Sequence, residues 1–147
     1  MSSLADKAFA KLQKLNLHAT TLEENTLSNV TEWIDTGCLV LNSILSGSLY
    51  GGVPKGRITI FAGETQCGKT FILNKILAKA QEKGMIPIIF DTEVAIEKEG
   101  AENVGLDVSN VKYVPVDTVE NCRNQIMAFL DEVEKEPELR GKFIISI

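Results

Sequence analysis

Apolar residues recur along this chain with two different periods, and the switches between them mark its elements. Leu4, Ala8, Phe9, Leu12 and Leu15 fall at helical spacing with Lys7, Lys11 and Lys14 between them. This predicts an amphipathic helix whose apolar face wants a partner. Asn16 to Asn29 is polar and rich in Thr, Asn and Glu, with only Leu17, Leu22 and Leu27 interspersed, so it reads as a tether. The organisation expected is therefore a helix and linker over residues 1–29 and a core over 30–147. Within the core, Leu39, Leu41, Ile44 and Leu45 predict a short buried helix or turn. Gly47, Gly51, Gly52, Pro54 and Gly56 then punctuate a loop or tight hairpin.

From Arg57 the pattern changes. Ile58, Thr59, Ile60, Phe61 and Ala62 form a near-continuous apolar and β-branched run, which predicts a central strand covered on both faces. Ile72, Leu73, Ile76, Leu77 and Ala80 return to helical spacing until Gly84. Ile86 to Phe90 predicts the next buried strand, parallel to the first because a helix connects them. Val111 to Val116 predicts another strand. Asp117, three residues before Glu120, predicts the cap of a helix with Val119, Cys122, Ile126, Phe129 or Leu130, and Val133 facing inward. Phe143 to Ile147 predicts a last apolar strand. The alternation implies an α/β fold with a mostly parallel sheet flanked by helices.

Composition narrows the functions available. At 147 residues the chain can bury one sizeable core and is too short for two ordinary domains. Its net charge of -5 argues against an autonomous nucleic-acid binder, which needs a positive field. The three cysteines, Cys38, Cys67 and Cys122, fit neither a zinc site nor a redox pair, and their odd number suits a reducing compartment. With no secretory signal in the first residues and no stretch of membrane-spanning length, a cytoplasmic protein without membrane partners is expected.

The candidate chemistry begins after the run at 58–62. Gly63-Glu64-Thr65-Gln66-Cys67-Gly68-Lys69-Thr70 has the spacing Gly, four residues, Gly, Lys, Ser or Thr of a phosphate loop. Chance produces that pattern in only ~0.5% of chains this length, so a binding role outweighs a surface turn. In such a loop successive backbone N–H groups point at the phosphates from a helix start. Lys69 reaches the β- and γ-phosphates and Thr70 places its hydroxyl on Mg2+. The expected ligand is a nucleoside triphosphate, ATP in the first place. Cys67, near that helix start, is read as small filler ahead of a reactive thiol, since no catalytic partner accompanies it.

Asp91-Thr92-Glu93 follows Ile88-Ile89-Phe90, which puts both acids at the carboxyl end of a strand expected beside the phosphate-loop strand. On position alone, Glu93 fits equally a base for the water that attacks the γ-phosphate and a solvated turn.

These segments resemble the RecA-type DNA-strand-exchange recombinases, and within them the UvsX-like branch from bacteriophages. The resemblance rests on Asp35-Thr36-Gly37 with Leu39 and Leu41, on Gly51-Gly52-Val53-Pro54-Lys55-Gly56-Arg57-Ile58, on the phosphate loop and on Phe90-Asp91-Thr92-Glu93. It covers nearly the whole chain. What it implies is a RecA-like ATP-binding core in which Glu93 is the catalytic glutamate beside Lys69. It also implies an N-terminal helix that packs on a neighbouring subunit of a homo-oligomeric filament. Recombination mediator and single-strand-binding proteins are further implied partners, and the host cytoplasm is the location if the source is a phage. Two departures stand out. The aromatic residue that stacks on adenine in bacterial RecA is replaced by Gly100, with Tyr113 as a substitute candidate. The family's magnesium-associated aspartate (Walker B) follows the strand that here reads Lys142 to Ile147, and the DNA-contacting loops come later still. The chain is thus expected to be the nucleotide-binding fragment of an ATP-dependent recombinase that engages single- and double-stranded DNA through regions it lacks. A non-hydrolysing binding or regulatory module and a RecA-like helicase or small-molecule kinase are the competing expectations.

Overall fold

The computed structural model describes residues 4–16, 18–26, 28–94 and 96–147, so Leu17, Leu27 and Ala95 lie outside it with residues 1–3. The chain divides into two compact units, Met1–Val30 and Thr31–Ile147. In the first, helix α1 (Leu4–Leu15) forms over the predicted stretch, and Leu4, Leu12 and Leu15 of its apolar stripe are exposed. Gln13 Nε2 donates to the carbonyl of Ala19 across 3.1 Å, tying the helix to the turn that follows it.

The second unit opens with a two-residue strand, β1 (Trp33–Ile34), paired antiparallel to β2 (Val53–Pro54), with helix α2 (Leu39–Ser46) between them. The strands approach so closely at Gly52 that a Cβ there would lie 2.0 Å from the carbonyl oxygen of Ile34; its φ of +132° suits glycine alone. Helix α2 differs from its expected burial: Leu39, Val40 and Ile44 are exposed, and its one buried side chain is Asn42. That amide is the hub of the region. Asn42 Nδ2 donates to Asp35 Oδ1 (2.7 Å) and to the Leu49 carbonyl (3.0 Å), while its Oδ1 accepts from the amide (2.9 Å) and hydroxyl (2.7 Å) of Thr36. A fully satisfied buried amide fixes the geometry of the segments it joins.

Helix α3 (Lys69–Glu82), strand β3 (Ile86–Asp91), helix α4 (Lys98–Asn103), strand β4 (Lys112–Pro115), helix α5 (Val119–Lys135) and strand β5 (Phe143–Ser146) follow. The strands form a parallel sheet in the order β4-β3-β5, with Ile88 opposite both Lys112 and Ile145. Period-two alternation in β3 feeds two faces. Ile89 joins Leu77 and Ala78 of α3, Ala101 of α4 and Leu106, whereas Ile88 and Phe90 join Val116 and Cys122 of α5. Phe129 meets Phe143 edge-on, centroids 4.9 Å apart, seating α5 on β5.

Two sequence expectations are corrected here. The run Ile58–Ala62 is not a strand of the sheet: it has no ladder partner among the described residues, and Ile58 and Ile60 are exposed. Phe61 alternates inward and packs on the cluster of Ile34, Val53, Ile76, Ala80 and Met85, so the segment rests one face on the core without backbone pairing. Consequently β3, and Asp91 at its end, is flanked by β4 and β5 and not by the segment that leads into Gly63–Thr70. The cap of α5 also moves by one residue, since Thr118 Oγ1 accepts from the Asn121 amide while Asp117 holds the Asn121 side chain. Val119, expected to face inward, is exposed.

Candidate functional site

The sequence-nominated loop leads straight into α3. Gln66 and Gly68 both adopt left-handed φ values, 65° and 88°. Left-handed residues in a tight loop turn consecutive N–H groups to one side, the basis of backbone anion sites. Gly68 is the N-cap of α3 and offers no side-chain hydrogen bond to the first turn, so the amides that open the helix are left to a ligand or solvent. A Cβ on Gly63 would lie 2.8 Å from Cys67 Sγ, so a side chain there would displace the thiol.

Lys69 folds back over this loop. Its Nζ donates to the carbonyls of Gly63 (3.0 Å) and Glu64 (2.8 Å) and lies 4.0 Å from Cys67 Sγ. The candidate residues Gly63, Glu64, Cys67 and Lys69 are thus brought together, with Thr65, Gln66 and Gly68 completing the loop and Thr70 exposed in the first turn of α3. The donor set suits a triphosphate: a run of amides, the Lys69 cation and the hydroxyls of Thr65 and Thr70. Among the described residues no three His, Cys, Asp or Glu side chains gather to hold a metal ion. Thr70, exposed in the first turn of α3, offers a hydroxyl, an oxygen of the kind a magnesium ion takes together with phosphate and water oxygens.

Glu93 sits on a different element. It is exposed on the bend after β3, two residues beyond Asp91. Asp91 itself is 7% exposed, and its carboxylate accepts from the Glu93 amide (3.0 Å), the Ile96 amide (3.2 Å) and the Tyr113 hydroxyl (3.1 Å). Burial pushes this carboxyl upward, but the amides of Glu93 and Ile96, the Tyr113 hydroxyl and the Val94 amide together hold it below the usual carboxylate range. Burial, and then the Asp91 carboxylate, push the Tyr113 phenol upward. The sequence reading treated Asp91 only as a companion acid. Its spacing to Glu93 was the available signal, because Asp accepting from the amide two residues on is an Asx-turn. The Tyr113 bond, spanning 22 residues, left no such trace. Gly100 lies exposed within α4.

Among the described residues no helix is long and apolar enough to cross a membrane. The RecA N-terminal domain family matches residues 3–133. The RecA protein of Clostridium botulinum (strain Eklund 17B / Type B) is 41% identical over 99 residues, covering 67% of this chain and 27% of that protein. The RecA proteins of Aquifex pyrophilus (35% over 109 residues, 74% and 29% covered) and Heliobacterium modesticaldum (34% over 117 residues, 80% and 32% covered) are similarly related. The chain spans about a third or less of the length of these relatives.

Proposed function

The chain belongs to the RecA family, and on that footing we propose that its Thr31–Ile147 unit is a P-loop nucleotide-binding core that takes ATP with magnesium. The observation that carries this reading is the loop Gly63–Thr70, which enters α3 through a left-handed Gly68 with the first helical turn uncapped by any side chain. In the proposed complex the amides from Gly63 to Gly68 receive the phosphates, Lys69 exchanges its loop carbonyls for β- and γ-phosphate oxygens, and the Thr70 hydroxyl ligates magnesium. The metal supplies charge neutralisation at the β- and γ-oxygens when bound. Glu93 orients the attacking water and accepts its proton.

For the whole protein we propose an ATP-dependent recombinase, of the UvsX-like branch, that coats single-stranded DNA and exchanges strands with duplex DNA. Its α1 helix packs on the neighbouring subunit of the filament. Mediator and single-strand-binding proteins complete the set of partners, and the protein works in the cytoplasm, that of the host if its source is a phage. With Gly100 exposed and carrying no ring, adenine is gripped by other residues than in bacterial RecA. A protein continuing this chain to the length of its relatives is expected to hydrolyse ATP faster when single-stranded DNA is added; the absence of DNA stimulation would overturn the recombinase reading. A binding module without turnover is favoured by one observation, the Lys69 ammonium already bonded to two loop carbonyls. Brisk hydrolysis by the chain as it stands would exclude it.

A further inference from the structure

The turn that carries Glu93 is held from outside its own sequence. Two backbone amides beyond Asp91, those of Glu93 and Ile96, donate to its carboxylate. Val94 adopts a φ of 53°. A β-branched residue in the left-handed region is disfavoured on its own and persists only where the surroundings impose it. The Asp91 carboxylate is the group those surroundings converge on.

Tyr113 reaches the same carboxylate from the neighbouring strand. It lies on β4 with its backbone opposite Ile89, and its hydroxyl donates to Asp91 Oδ2 across 3.1 Å. The Asp91 backbone is fixed to the end of β4, where the Val116 amide donates to its carbonyl across 3.0 Å, but its side chain is left to turn with the amides that bond it. The Tyr113 hydroxyl, a side-chain donor carried by β4, gives the carboxylate a bond outside the turn and sets the direction in which it holds the Glu93 amide. Glu93, exposed between Asp91 and Val94, inherits that direction.

We propose that Tyr113 is a positioning residue, whose hydroxyl, acting through Asp91, sets the turn that presents Glu93 to the attacking water. The role of Glu93 rests on the function proposed above; the mechanical part, that Tyr113 holds the turn, does not. Charge-assisted bonds to a buried carboxylate are the strong ones, and the phenol is the donor here that a substitution can remove without touching the backbone. The ring of Tyr113 is 45% exposed, so phenylalanine fits its place.

The test compares the chain with its Tyr113→Phe and Glu93→Gln variants in amide hydrogen exchange by NMR, and the same three forms of the protein extended to the length of its relatives in single-turnover ATP hydrolysis with the protein in excess, alongside ATP affinity. Tyr113→Phe is expected to speed exchange at the Glu93 and Ile96 amides by about fivefold, the factor that one net hydrogen bond is worth. The Asn121 amide, held by Thr118 at the start of α5, serves as the unaffected control. Hydrolysis is expected to fall by a similar factor with ATP affinity unchanged. Unaltered exchange at Glu93 and Ile96 would overturn the proposal. So would a loosened turn with undiminished hydrolysis while Glu93→Gln abolishes it. If Glu93→Gln leaves hydrolysis intact, or the unsubstituted extended protein shows none, the role assigned to Glu93 falls instead, and the exchange measurement still decides whether Tyr113 holds the turn.

Discussion

Lys69 Nζ donates to the carbonyl of Glu64 at 2.8 Å, so the cation of the candidate phosphate site is held by the loop that it serves. Both partners of this bond are at the surface, and the same ammonium also bonds the Gly63 carbonyl. Neither carbonyl is left buried when the lysine is removed. Lys69→Ala is therefore expected to change folding stability by no more than about 0.5 kcal/mol, the range of surface substitutions, as measured by urea denaturation. A larger loss would mean that the lysine is part of the core's support and that its substitution cannot report on ligand binding.

The opposite behaviour is expected of Asn42, which is 1% exposed and makes bonds to Asp35, Leu49 and both polar groups of Thr36. Asn42→Ala strands the buried Thr36 amide, while the Thr36 hydroxyl keeps its bond to the Cys38 carbonyl. At about 1–3 kcal/mol for a buried group left without a partner, the variant is expected to lose at least about 1 kcal/mol in the same denaturation experiment. A loss below about 0.5 kcal/mol, the level of a surface change, would show that the hub contributes little.

The Asp91 and Tyr113 bond carries a pH signature at each end. The carboxyl of Asp91 is depressed despite burial, because the Glu93 and Ile96 amides and the Tyr113 hydroxyl favour its charged form. Its contribution to stability is present above the unfolded value, about 3.9, and is lost as pH falls through the lower folded value. The phenol of Tyr113 is raised, by burial and by the neighbouring carboxylate. Its contribution is present below about 10 and is lost as pH rises through the higher folded value. The 13C shift of the Asp91 carboxyl carbon is thus expected to stay level between about pH 4 and about pH 10, and to move only beyond each end. A midpoint for Asp91 above about 4 would contradict the bonding described.

What the sequence disclosed followed the range of the forces involved. Helix α3 and strand β3 were legible because Ile72 to Ala80 and Ile86 to Phe90 carry their own periodicity, and burial against neighbours only reinforces it. The run Ile58–Ala62 looks equally strand-like, but a strand needs a ladder partner and local composition does not supply one. Strand β1 is two residues long and exists through its pairing with Val53 and Pro54, so no window of residues could display it. The tight turn into α3 was legible because its glycines answer local backbone demands, as the φ of Gly68 illustrates. The hold of Tyr113 on Asp91 was not legible, since it depends on the register that sets β4 beside β3.

The central claim is that the loop from Gly63 to Thr70 binds a nucleoside triphosphate, and calorimetric titration of the chain with magnesium and ATP tests it most directly. One saturable site is expected in the unsubstituted chain. Glu93→Gln is expected to bind equally well, and Lys69→Ala about 10- to 100-fold more weakly, the worth of a charged hydrogen bond lost from a ligand. No saturable binding, or equal affinity in the Lys69→Ala variant, would contradict the account.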